Sequence, residues 1–137
     1  MATAAPVHVS GEMFVQVARG MRSSGQGLVL LDLAPSTIHL TLAPTALLGY
    51  LATGEFLDRW EEHAAAFAAH PPQATLSLLD ASARLVPDVV VRLRNPRIRA
   101  TGLTYDADLT SGVLPSASGA CVLFIDTLIG SVGHVQD

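Results

Sequence analysis

The stretch from Asp88 to Asp126, DVVVRLRNPRIRATGLTYDADLTSGVLPSASGACVLFID, reads as three or four consecutive strands joined by turns. Val89-Val90-Val91 places three β-branched residues in a row, which pack well on a pleated surface and resist helix. Alternation puts Val91, Leu93 and Asn95 on one side and Val90, Arg92 and Arg94 on the other. Pro96 cannot donate to a ladder and marks a strand end, a bulge or an edge. After Gly102 a second alternating run begins, with Leu103, Tyr105, Ala107 and Leu109 on one face and Thr104, Asp106 and Asp108 on the other. This is the pattern of a half-buried strand with a wet side. Gly112, Pro115 and Gly119 bracket a connection. Cys121–Ile125 is apolar at every position and reads as a central strand covered on both sides.

The remainder supplies companions for this unit. Residues 1–9 read as a loose arm, or a short edge strand at Val7–Val9. Ser10 is placed to cap a short N-terminal helix, because Met13, Phe14, Val17, Ala18 and Met21 recur at helical spacing. Leu28–Leu33 and Thr37–Leu42 read as a hairpin, with Ile38, Leu40 and Leu42 inward and Thr37, His39 and Thr41 outward. Ala43–Ala52 is an apolar connection of no assigned form. From Gly54 to about His70 the spacing of Phe56, Trp60, Ala64 and Phe67 predicts one amphipathic helix, capped by Thr53 and stopped by Pro71-Pro72. Ala74–Leu79 is a further strand, followed by a loop through Pro87. The fold expected is α+β and mainly antiparallel. It has six or seven strands in a sandwich or small barrel, with one helix across it and the short N-terminal helix before it. At 137 residues this is a single domain, with residues 130–137 as a loose tail.

Composition narrows the functional classes. A formal net charge of −4 argues against general nucleic-acid binding. All eight basic residues are arginine, so no lysine is present to form a Schiff base or act as a base. The single cysteine, Cys121, excludes an internal disulfide. The opening MATAAPVHV has neither the basic nor the apolar region of a signal peptide, and Leu42–Ala52 is too short to cross a bilayer. A cytoplasmic chain with no membrane partner is the resulting expectation. Half the residues are apolar and only 15% are charged, which points to apolar surface hidden by a homo-oligomer.

Six fragments carry a resemblance: FLDRW at Phe56–Trp60, FAAHPPQATLSLL at Phe67–Leu79, NPR at Asn95–Arg97, LTYDA at Leu103–Ala107, SGVLP at Ser111–Pro115 and LFID at Leu123–Asp126. Together they resemble a family of small uncharacterised bacterial β-rich proteins with an NPR…LTYDV…LFID pattern, over roughly residues 28–128. The resemblance implies a β-rich fold and no particular activity. In that pattern a polar Ser–Asp–Arg–Pro segment precedes the helix, and Gly–Arg–Pro follows the closing strand. Here Thr41-Leu42-Ala43-Pro44 and Thr127-Leu128-Ile129-Gly130 stand in those places. The exchange of polar for apolar segments suggests an apolar pocket beneath Pro44–Leu51 and the tail.

No spacing selects a catalytic triad or a metal site, and no cofactor is implied. His63 and His70, seven apart on one helix, miss the usual metal-pairing separation. Asp106 and Asp108 project from one strand face, where they could hold a hard cation or simply face water. Arg92, Arg94, Arg97 and Arg99 could clamp an anion, or line a strand edge and discourage aggregation. Cys121 reads as an inert core thiol.

Two functional expectations follow. In the first, the domain encloses an apolar small molecule and acts as a cofactor-free cyclase or isomerase by shape. His39, Tyr105 and Asp126 would be its catalytic polar groups, and Tyr50, Leu47, Trp60 and Arg97 its ligand contacts. In the second, it is a non-enzymatic interaction or self-assembly module working through its apolar surface. An enclosed cavity with converging polar groups favours the first. A filled core under a flat apolar surface favours the second.

Overall fold

A computed structural model describes residues 12–41 and 46–127. The expected arm, the cap at Ser10, Pro44 and the tail lie outside these residues. The chain runs β1 (Glu12–Ser24), β2 (Gly27–Leu33), β3 (Ser36–Thr41), β4 (Leu47–Ala52), α1 (Thr53–Glu62), α2 (Ala64–Ala69), β5 (Gln73–Leu79), β6 (Leu85–Arg99), β7 (Gly102–Ser111), β8 (Ala117–Ser118) and β9 (Cys121–Asp126). All strand pairings are antiparallel. They run β2-β7-β6-β5-β9-β1 and return from β1 to β2, a closed circuit of six strands. This is the mainly antiparallel α+β architecture expected, closer to the small barrel than to the sandwich, with nine strands among the described residues rather than six or seven and two short helices against it. Strands β3 and β4 extend the sheet outward from the first half of β1.

The largest departure from the sequence reading is at the N-terminus, where the expected helix is the 13-residue strand β1. Phe14, Gln16 and Ala18 alternate inward, and Met21 is buried one step out of phase. Leu30 and Leu33 on β2 pair with Met21 and Ala18 and show the same phase change. Between them Arg19 and Asp32 form an ion pair at 3.5 Å, and Asp32 adopts a φ of 53°. A positive φ at a short polar residue is tolerated and turns the strand locally. The resulting spacing of apolar residues imitates a helix. The bend lets one strand pair with β3 and β9 by its first half and with β2 and β8 by its second.

The expected hairpin of β2 with β3 does not form. Both strands lie along β1, and the true hairpins are β1–β2 and β3–β4. The faces of β3 are also the reverse of those expected. Thr37 is fully buried, while Ile38 and Leu40 are only half-buried on the outside. The apolar segment after Thr41 supplies β4, and β6 begins at Leu85 rather than after Pro87.

The long helix is two. α1 ends at Glu62 and α2 begins at Ala64, with His63 between them at φ −111° and ψ 17°. The α1 N-terminus is held by Glu55, which reaches back to accept a hydrogen bond from the Ala52 amide at 2.8 Å. Phe56 and Trp60, one turn apart, enter the barrel among inward side chains. Phe56 meets the edge of Phe14 at 5.3 Å between ring centroids, and Trp60 lies 6.2 Å from Tyr105. Burying two such rings is worth about 1.5–3 kcal/mol each, which outweighs the weak intrinsic stability of so short a helix. Val89, Val91, Leu93, Leu103, Leu123 and Ile125 are among the side chains that fill the interior around them, all almost fully buried. Gly102, at φ 146°, passes so close to the Leu30 carbonyl that a Cβ there would collide with backbone.

Candidate functional site

Among the described residues the buried polar side chains are Gln16, Thr37 and Thr104, and with Tyr105 the first two form a hydrogen-bonded chain. The Tyr105 hydroxyl donates to Gln16 Oε1 at 2.6 Å, and Gln16 Nε2 donates to Thr37 Oγ1 at 3.2 Å. All three side chains are buried. Burial raises the Tyr105 phenol well above its ordinary pKa, and the bond to Gln16 offsets only part of that rise. The hydroxyl is a donor committed to Gln16 within the core. Trp60 joins it in the core and stacks edge-on with Phe67 at 4.8 Å.

His39 is drawn inward by the reversed face of β3. Its ring stacks on Phe14, 5.0 Å away and 11° from parallel, and its Nε2 lies 3.0 Å from Glu12 Oε2. Arg59 on α1 donates to the same oxygen at 2.9 Å. Glu12, Gln16 and Arg59 were not anticipated as partners. Reading β1 as a helix sends Glu12 and Gln16 to a solvated side, whereas strand alternation would have set Gln16 between Phe14 and Ala18 on the buried face.

The arginine run pairs with the two aspartates expected to face water. Arg94 and Asp108 meet through two nitrogens at 3.1–3.3 Å, and Arg97 bonds to Asp106 at 3.0 Å. Between them the β6–β7 register slips at Asn95, which has a φ of 57°. Burial raises the Asp106 carboxyl. Hydrogen bonds from Asn95 and Arg97 and the charges of Arg97 and Arg94 outweigh it and hold the group below the usual carboxylate range. Two ion pairs side by side on a sheet face match cross-strand charge pairing better than an open anion clamp. Among the described residues no cluster of three or more His, Cys, Asp or Glu is placed to hold a metal ion.

The named residues therefore occupy separate places. Tyr105 and Trp60 meet in the core, His39 sits at the β1–α1 junction, and Arg97 lies outside the barrel on β6. Asp126 ends β9 between Met13 and Gln73. Tyr50 and Leu47 stand on β4, 67% and 62% exposed, beside Leu48 at 62%. Cys121 is buried as expected, and loss of solvent pushes its thiol up to about 11.

Among the described residues, clefts open on the surface at two places that bear on a ligand. One, of about 350 Å³, lies between the helices and β6 and is lined by Leu57, Trp60, Phe67, Arg94 and Pro96 among others. A wider one, about 720 Å³, lies between the β1–β2 turn and the segment after β7. Neither is enclosed by the barrel.

The most continuous feature is an apolar outer face. Register aligns Tyr50, Ile38, Val15 and Phe124 across β4, β3, β1 and β9, ending at Thr75 on β5. A parallel row runs Leu48, Leu40, Met13 and stops at Asp126. Val17 and Val122 form a third, shorter row. Strand β9 is central, as expected. Its outer side is not covered, however, and Phe124 stands 37% exposed there. The face ends at β4, which among the described residues pairs only with β3.

No protein-family model, curated protein or solved structure matches this chain. No described helix is long and apolar enough to cross a membrane.

Proposed function

We propose that this domain is a non-enzymatic self-assembly module whose working surface is the β3–β4 hairpin, with β4 at its centre. The observation that carries the reading is β4 itself, a terminal strand with Leu47, Leu48 and Tyr50 each more than 60% exposed. Exposed large apolar residues clustered on one strand mark an interaction surface more strongly than the same residues scattered. An interior occupied by packed side chains, with the Tyr105 hydroxyl committed to Gln16, supports the same reading over an enclosed ligand. Sedimentation velocity tests it. The native chain is expected to gain mass with concentration, and Leu48→Lys with Tyr50→Lys is expected to hold it as a folded monomer. A native chain that stays monomeric at every concentration rejects the proposal.

A second reading keeps a small apolar ligand but moves it to the cleft beside α2, where Trp60 and Phe67 form an aromatic wall. Its volume lies near the lower end of the roughly 300–1,000 Å³ usual for ligand sites. Trp60 is the sole tryptophan, so its fluorescence reports occupancy directly. A saturable change on titration with a naphthalene-type apolar probe, lost in Phe67→Ala, supports this reading. An unchanged spectrum counts against it.

A further inference from the structure

The geometry points to a specific partner for this surface: a second copy of the chain, joined by antiparallel pairing of β4 with β4 across a two-fold axis through Gly49. The inference rests on the assembly reading above and adds the occupant, the edge and the register. A contact on the outer face alone could cover Leu48 and Tyr50. It could not cover Leu47, which projects to the opposite side of the same strand and is equally exposed. Only an approach along the open edge touches both sides of β4 at once.

Among the described residues nothing pairs with this edge or covers it. Sheet edges in monomers are blunted by lysine, proline, bulges or a covering element. Leu47–Ala52, LLGYLA, has no charge and no proline. Its register against β3 runs unbroken from Thr41↔Leu47 to Ser36↔Ala52. Two copies, each with a formal charge of −4, can therefore meet here without bringing like charges together.

Symmetry then selects the register. Directly opposed residues in an antiparallel pair share a face, so the two positions in each pair must sum to an even number. Centring on Gly49 pairs Leu47 with the second copy's Leu51 and Leu48 with its Tyr50. Each pair occurs twice, and the two glycines meet at the axis. The aliphatic pair lies on one face and the aliphatic–aromatic pair on the other, both favourable cross-strand combinations. Centring on Tyr50 instead sets tyrosine against tyrosine and leaves Leu47 without an opposite residue inside the strand. The contact is small. Six residues a side fall well short of the roughly 20–30 of a standard interface, so the dimer should dissociate on dilution.

Disulfide trapping reads the register. Cα atoms of directly opposed residues lie about 4.5–5.5 Å apart, inside the roughly 4.4–6.8 Å window of a disulfide. Gly49→Cys is tolerated sterically, since a Cβ there meets nothing within 4 Å. Under mild oxidation Gly49→Cys is expected to form a covalent dimer. Tyr50→Cys alone is not, because its two copies are diagonal neighbours about 7–8 Å apart. Mixing Leu48→Cys with Tyr50→Cys is expected to give the mixed dimer, and it serves as a second probe should Gly49→Cys fail to fold. The native chain, with Cys121 buried, is the unlinked control. Linking through Tyr50→Cys but not Gly49→Cys overturns this register. A concentration-dependent mass lost in Leu48→Lys with Tyr50→Lys, but with no trapping by any of these variants, overturns edge pairing and leaves the assembly reading standing. A native chain that is monomeric throughout overturns both.

Discussion

At the residue scale, Tyr105 carries the most consequence. Its ring lies among core aromatics and its hydroxyl has one partner, Gln16. Tyr105→Phe removes the donor and leaves a buried amide oxygen unpaired, which costs about 1–3 kcal/mol. The pH dependence has a definite sign. Burial raises the folded-state phenol above its unfolded value. Its contribution is therefore fully present below the unfolded pKa of about 10 and is lost as pH rises from there toward the folded value. Urea denaturation at neutral and alkaline pH checks both effects. The phenylalanine variant should be less stable at neutral pH and lose less stability above pH 10. Equal alkaline losses in the two proteins would show that this hydroxyl is not the titrating group. Tyr105 was legible in the sequence as an inward residue because Leu103 and Ala107 flank it at period two. Its partner was not, because β1 reads as a helix, and only strand alternation places Gln16 between Phe14 and Ala18 on the buried face.

At the element scale, what could be read depended on whether one period ran through a whole strand. β7 brings Leu103, Tyr105 and Ala107 inward as expected, although Thr104 of the expected wet face is also buried and Leu109 at its end is exposed. β9, apolar at every position, offered no alternation to read, and its outer side is open rather than covered. β1 keeps no single period, because its phase turns over opposite Asp32, and five apolar positions then fall at helical intervals. β3 misleads in another way. Its inward positions are polar because Thr37 closes the Gln16 chain and His39 stacks on Phe14, while its leucine and isoleucine join the outer apolar face. β4 was seen as apolar but given no form, since Pro44 and Gly49 interrupt every simple template. These reversals together place the apolar face where an outward polar one was expected. Phe124 tests how that face is used. It lies three strands away from the open β4 edge and falls outside an edge-paired contact. Phe124→Glu should leave the concentration dependence of mass unchanged and raise solubility. A monomeric Phe124→Glu variant would mean that two copies stack face to face instead, as in aligned sheet packing.

At the scale of the whole molecule, charge separates this assembly from the ionic contacts elsewhere on the barrel. Of the three closely paired arginines, Arg94 and Arg97 lie on β6, which is separated from β4 by β5, β9, β1 and β3 in the sheet, and Arg59 on α1 is held by Glu12 of β1. The proposed contact contains no charged side chain, yet each copy carries a net −4. Long-range repulsion therefore opposes the encounter while nothing ionic holds the pair together. Added sodium chloride screens the repulsion, because the Debye length falls from about 30 Å at 0.01 M to about 8 Å at 0.15 M. Sulfate goes further and strengthens apolar burial. Association should therefore be unchanged or tighter as sodium chloride rises, and tighter still in sulfate at equal ionic strength. An interface built on arginine–carboxylate pairs would show the opposite trend and loosen as those pairs are screened. Sedimentation equilibrium across a salt series distinguishes the two. Dissociation on raising salt would move the contact from the neutral β4 edge to the charged β6–β7 face.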